Sequence, residues 1–254
     1  MRSFLKQHPF AVAAHFDSSL VLTYTLPKAQ LANLLPPCLQ PDTYDDKWAF
    51  IAVAMVQTRH LRPKGFPKFL GQSFFLIGYR IFVRYVNEKG KRLRGLYILR
   101  SETNRKQMQV LGNLFTHYKY VPIDIVLRRQ DEATIISSAQ AGLNVSIGQK
   151  GADIFLPPQS PFPDWKTARR YAGPLPFTFT WLPEKQQVLI IEGVRQNWKP
   201  QPVEVLQHQV GFLNQAPFQG AKLASAFEVE QIPYFWRKGK LESWKANEAH
   251  SRGY

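Results

Sequence analysis

The chain has 254 residues, of which 44% are hydrophobic, 20% charged and 13% aromatic, and 33 Lys+Arg against 18 Asp+Glu give a formal net charge of +15. This is the composition of an ordinary soluble globular protein, rich in the aromatics that favour strands. The single cysteine, Cys38, excludes an intrachain disulfide and a cysteine-built metal cage and fits a reducing, cytoplasmic compartment, and no window approaches the ~20 apolar residues that would span a bilayer.

Residues 1–12 and the stretch from Lys240 to Tyr254 are polar and pattern-poor and read as frayed termini of one domain. His15 to Thr25 alternates weakly through Leu20, Leu22 and Tyr24 and predicts a first strand. Pro27 marks a helix start, Leu31, Leu34 and Leu35 give it an apolar stripe, and Pro36-Pro37 end it. Trp48 to Val56 is apolar on both faces, as in a strand of a filled barrel. Phe74–Tyr85 and Gly95–Leu99 predict a hairpin joined by Asn87-Glu88-Lys89-Gly90, with Arg80, Phe82 and Arg84 on one face and Tyr79, Ile81, Val83 and Tyr85 on the other.

Asn104 to Tyr118 predicts the best helix, with Met108, Leu111, Leu114, Phe115 and Tyr118 as its apolar stripe and Thr103 or Asn104 as its cap. Strands follow at Ile123–Arg129, Thr134–Ser138, Leu143–Ile147, Phe177–Trp181, Gln187–Gln196, Val203–Gln209 and Ala221–Val229, with a short helix at Asp164–Tyr171. The expected class is mainly β, closed into an antiparallel barrel. No strand–helix alternation suggests a doubly wound parallel sheet.

Chemical signatures are sparse. The six histidines include no close pair, and neither a nucleophile elbow nor a nucleotide-binding glycine loop occurs, so no metal or cofactor is implied. Cys38 is either a small buried hydrophobe or a reactive thiol. Glu102, between an apolar strand and a helix, is either a half-buried general acid or base or a helix N-terminal carboxylate paired with Arg100 or Arg105. Arg80 and Arg84 hold an anion if their face points inward, and are a solvated basic strand if it points outward. Trp198 is a core aromatic or a pocket wall. The basic clusters carry interleaved aromatics, as a nucleic-acid surface does, but no nucleic-acid motif organises them.

Ala14-His15-Phe16, Leu34-Leu35-Pro36-Pro37, Asp42-Thr43-Tyr44-Asp45, the strand at Trp48, Arg62-Pro63-Lys64-Gly65, Arg80–Val83, Gly95–Glu102 and Trp198 with Pro200-Gln201-Pro202 follow one another in a fixed order. In that order the chain resembles the YqjF-like domain of unknown function, over roughly His15 to Tyr234, and through it the acetoacetate decarboxylase-like barrels. The resemblance implies a barrel around a deep pocket. Active members of that wider group use a Schiff-base lysine, and the matching segment here, Arg100-Ser101-Glu102-Thr103, has none. Leu76 and Gly78 stand where the pattern carries polar residues.

The reading is therefore a barrel that binds a small anionic organic molecule, with Glu102 as candidate acid/base and Arg80, Arg100, His15, Tyr97 and Trp198 as candidate ligand contacts. Arg80 and Glu102, on hairpin-neighbour strands, are expected in one cavity. The alternatives are a lyase or hydratase without a Schiff-base lysine, and a binder of nucleic acid or an anionic surface.

Overall fold

The computed structural model describes residues 2–173, 175–196 and 198–245. Its elements in chain order are α1 (Arg2–Leu5), β1 (Val12–Pro27), α2 (Lys28–Ala32), β2 (Gln40–Pro41), β3 (Trp48–Pro63), β4 (Gln72–Val86), β5 (Arg92–Thr103), α3 (Lys106–Phe115), β6 (Tyr120–Pro122), β7 (Val126–Gln130), β8 (Ala133–Ser138), β9 (Leu143–Lys150), α4 (Trp165–Ala168), β10 (Phe177–Leu182), β11 (Gln187–Arg195), β12 (Gln201–Val210), β13 (Lys222–Trp236) and β14 (Lys240–Ser243).

Seven strands close on themselves. β13, β1, β3, β4 and β5 pair antiparallel in that order. β10 joins β5, β11 joins β10, and β11 returns to β13 through Gly193↔Trp236 to Arg195↔Tyr234. The mainly β, closed architecture expected from the sequence is present, with one departure: β10 runs parallel to β5 over Phe177↔Gly95 to Phe179↔Tyr97. The long connection after β5, through α3 and β6–β9, lets the chain re-enter in the same direction, as parallel pairing requires. Outside the ring, β12 leaves β13 at Gln201↔Glu228 and carries β9, β8 and β7 as a second antiparallel sheet.

Glycines mark both seams of the closure. A Cβ at Gly95 would sit 2.4 Å from the Phe179 ring, and one at Gly193 would sit 2.0 Å from the Tyr234 hydroxyl. Larger residues would push β10 off β5 and β11 off β13. Along the ring, alternation sorts side chains between two buried clusters. One contains Leu20, Leu22, Ile51, Val53, Ile77 and Tyr79 and extends under β8, β9 and β12. The other contains Phe16, Val21, Phe50, Phe82, Leu96 and Tyr234.

Elements are generally longer than their sequence signals, because pairing on both sides extends a strand beyond its apolar run: β3 continues from Val56 to Pro63. Three expectations are corrected. Lys240–Ser243 is not frayed but pairs with β11, and Glu242 is buried there; residues 246–254 lie outside the described residues. The N-terminal stretch includes α1 and a buried His8. Helix α3 has no side-chain cap, since Asn104 Oδ1 instead accepts from the Phe75 amide at 2.9 Å, and Leu111 of its stripe is exposed. Met108 does pack inward, on Phe74 and Tyr120.

The Asp42–Asp45 turn serves the ring directly. The Asp42 side chain is wholly buried, and it accepts from Arg84 Nε on β4 and from Arg94 Nε on β5, both at 2.6 Å. Arg94 also donates to the Arg170 carbonyl (3.2 Å), and Tyr171 donates to the Thr43 carbonyl (2.9 Å). The segment around α4 is thereby fastened over Phe50 and Phe82, on which Tyr171 packs. We expect Asp42→Ala to cost about 2–3 kcal/mol, less than for a fully buried pair because both guanidiniums keep some contact with water. A urea midpoint within error of the wild type would show that the clasp is not stabilising.

Candidate functional site

Nine positions on β4 and β5 decide where chemistry can occur. Arg80 faces Ile98 across the hairpin and Gly78 faces Ser101, whereas Tyr79 faces Arg100 and Ile77 faces Glu102. Between these pairs the register slips, so that Leu99 is an extra residue on β5. A strand without that bulge would put Ile98, Arg100 and Glu102 on one face. The inserted residue inverts the alternation, leaving Ile98 and Ser101 on the Arg80 face and turning Arg100 and Glu102 to the other.

Arg80 lines a cavity of about 80 Å³ enclosed by the ring. β1 contributes Phe16 and Ser19, β3 contributes Val56 and Thr58, β5 contributes Leu96, Ile98 and Ser101, and β10 contributes Thr178. Tyr120 of β6 and Tyr234 and Trp236 of β13 complete it, with Tyr118 from the turn after α3. No lysine, histidine or carboxylate is among the lining residues. The guanidinium folds back over Gly78, where a Cβ would lie 2.7 Å from Arg80 Nε. The absence of a side chain at Gly78 is what makes room for it.

Arg80 Nε is buried without a hydrogen-bond acceptor among the described residues. Burial pushes the guanidinium below its ordinary value, and the neighbouring Tyr120, Tyr234 and Tyr118 offset this in part. An arginine nevertheless stays charged in a protein. Burial also raises the three phenols, Tyr120 to about 12. They remain protonated and can donate. The site is thus one half-buried cation, its Nε buried, among neutral hydroxyls and apolar walls.

Glu102 sits on the opposite face, 2% exposed. Tyr79 donates to its Oε2 at 2.8 Å and Arg100 Nη2 lies 2.9 Å from Oε1. Tyr79 is itself stacked on Phe212, with centroids 4.0 Å apart. The expectation that Arg80 and Glu102 share a cavity is therefore overturned, by the Leu99 bulge. Tyr97 pairs with Ile81 and packs on the same far side. His15 hydrogen-bonds Gln231 at 2.9 Å near the surface. Trp198 packs in the Phe50 cluster with the Arg195 guanidinium 4.6 Å from its ring centre. Neither lines the cavity, so of the proposed ligand contacts only Arg80 does. The tyrosines escaped sequence reading because Tyr118 and Tyr120, just after α3, and Tyr234 on β13 lie far from β4 in the chain. Only the shared face of Ile232, Tyr234 and Trp236 was open to an alternation argument.

Cys38 is buried and its thiol is pushed up to about 12 by desolvation, which leaves it a hydrophobe rather than a nucleophile. Among the described residues no three His, Cys, Asp or Glu side chains converge on a point, and no helix is long and apolar enough to cross a membrane.

This ring with a single-cation cavity is an acetoacetate decarboxylase-like fold. Similar solved structures include an enduracididine biosynthesis enzyme complexed with the condensation product of pyruvate and imidazole 4-carboxaldehyde (TM-score 0.61, 12% identity, covering 92% of this chain and 90% of that one). Others are an acetoacetate decarboxylase-like enzyme from Sphingomonas wittichii (0.56, 11%, 96% and 96%) and an acetoacetate decarboxylase from Legionella pneumophila (0.54, 13%, 91% and 87%). At these identities the likeness establishes the fold. The chain belongs to the DUF2071 family of uncharacterized conserved proteins, whose profile matches residues 13–248. None of the curated proteins matches the sequence.

Desolvation raises the Glu102 carboxyl above its ordinary 4.5, with the Tyr79 hydrogen bond and Arg100 opposing the shift. The folded state therefore favours the protonated form. The stability this gives is present below the ordinary value and is lost as pH rises through the raised one. Glu102→Gln, which mimics the protonated group, is expected to gain stability relative to the wild type as pH rises above the ordinary 4.5. Denaturation curves in which that gap stays constant or moves the other way would show that Arg100 holds the carboxylate charged.

Proposed function

We propose that this protein binds a small organic anion inside the ring, with the Arg80 guanidinium as the anchor. The observation that carries this reading is a half-buried guanidinium whose buried Nε lacks an acceptor among the described residues, at a cavity lined by no carboxylate. A buried unpaired charge is costly. An anion entering the cavity supplies the missing counter-charge and a charge-assisted hydrogen bond. The space, about 80 Å³, is well short of the several hundred Å³ of a typical drug-sized pocket, and suits a molecule of a few heavy atoms. One cation matches one negative charge, and the apolar walls match a short uncharged remainder. A fold neighbour crystallised with a pyruvate-derived product supports an organic anion as the occupant.

Catalysis is the second reading. The lysine expected of a Schiff-base enzyme is missing from the cavity lining, and Glu102 is held on the far face, so the groups positioned to donate a proton are the phenols. Borohydride treatment in the presence of acetoacetate or pyruvate is expected to leave the protein mass unchanged, and a stable lysine adduct would restore the Schiff-base route.

The anchor assignment has a two-sided test. Arg80→Met removes the charge but keeps most of the volume, and is expected to stabilise the unliganded protein by about 1–4 kcal/mol. The same variant is expected to lose the rise in melting temperature that millimolar pyruvate or acetoacetate gives the wild type, while acetamide shifts neither. A destabilised Arg80→Met protein that still responds to the carboxylates would reject the assignment.

A further inference from the structure

The β3–β4 hairpin carries a feature that the cavity does not use. Between Asp46 and Glu88 the sequence has no acidic residue but contains Lys47, Arg59, Arg62, Lys64, Lys68, Arg80 and Arg84. At the tip of the hairpin, Phe66, Phe69 and Leu70 are 56%, 82% and 54% exposed. Isolated exposed apolar residues are ordinary. Three large ones within five positions at an exposed turn mark an interaction surface.

The tip is built to hold its shape. Arg62 donates from Nε to the Phe66 carbonyl (2.8 Å) and from Nη1 to the His60 carbonyl (2.7 Å), and His60 Nδ1 lies 3.1 Å from the Lys68 carbonyl. Pro63 and Pro67 stiffen the turn between them. Arg59 is occupied by Asp17. The cations free of ion pairs among the described residues are the exposed Lys64, whose ammonium sits 4.5 Å over the Phe235 ring, and the exposed Lys68.

We propose that this tip docks the protein on an anionic lipid surface. Phe66, Phe69 and Leu70 enter the headgroup–acyl boundary, and the Lys64 and Lys68 ammonium groups meet the acidic headgroups above them. A rigid tip loses little conformational freedom on insertion, and the net charge of +15 supplies long-range attraction to the same surface. A single-stranded nucleic acid fits less well. Base stacking needs a platform beside a groove that tracks the phosphates, whereas these side chains sit on an exposed hairpin turn that lines none of the described pockets and one of them is aliphatic.

The test is co-sedimentation of the full chain with vesicles of equal parts phosphatidylserine and phosphatidylcholine, against phosphatidylcholine alone. The wild type is expected to pellet with the anionic vesicles only, and less so as salt is raised. A Phe66→Ser/Phe69→Ser double variant, folded by circular dichroism, is expected to remain in the supernatant. Lys64→Gln/Lys68→Gln is expected to weaken partitioning roughly 25-fold, two cations at their usual contribution near an acidic surface. Wild-type protein that stays in solution, or double variants that both pellet like the wild type, would overturn the proposal. So would binding to a thymidine oligonucleotide that the Phe66/Phe69 variant loses while its vesicle binding is unchanged.

Discussion

Two arginines stand on the same face of β4, four residues apart, and the difference between them organises the molecule. Arg84 shares the buried Asp42 carboxylate with Arg94. That clasp joins the turn before β3 to the hairpin of the ring and, through Arg170 and Tyr171, to the segment packed over Phe50 and Phe82. Arg80 faces the cavity with no such partner. Nature tolerates a buried unpaired charge where function compensates the stability it forfeits. The fold thus gives one guanidinium a carboxylate and leaves the other without one among the described residues.

The second determinant is the extra residue at Leu99. One β-bulge sets the face of every side chain beyond it, so it separates Arg80 from Glu102 although their strands are neighbours. The two faces acquire different chemistry. The enclosed face has a cation with neutral hydroxyls. The far face has a self-contained Tyr79–Glu102–Arg100 network under Phe212. Glu102 is buried with its hydrogen-bonding partners already in place, the arrangement of a polar group that specifies packing.

Much of the ring was legible in the sequence, because its signals are local. The apolar run at Trp48, the Asn87–Gly90 turn and the alternation of Arg80, Phe82 and Arg84 each depend on near neighbours. The inward face of Arg80 could not be chosen from alternation alone, since both faces of β4 are buried. The bulge left no mark in composition: Leu99 looks like any strand residue. Nor could the partners of Arg80 be found by spacing, because Tyr118, Tyr120 and Tyr234 reach it only when the ring closes through Gly95 and Gly193. Asp42 was visible as part of a turn, but its role depends on Arg84 and Arg94, which lie beyond β3 in the sequence.

The central claim is that Arg80 is a charged, unpaired anion receptor inside the ring. Crystals soaked in bromide test it without knowledge of the natural ligand, because the anomalous signal locates the halide directly. An anomalous peak is expected within contact of the Arg80 guanidinium, close to the Tyr118 and Tyr234 hydroxyls. A cavity without a peak while bromide occupies other basic sites, or an Arg80 found paired with a protein carboxylate, would contradict it.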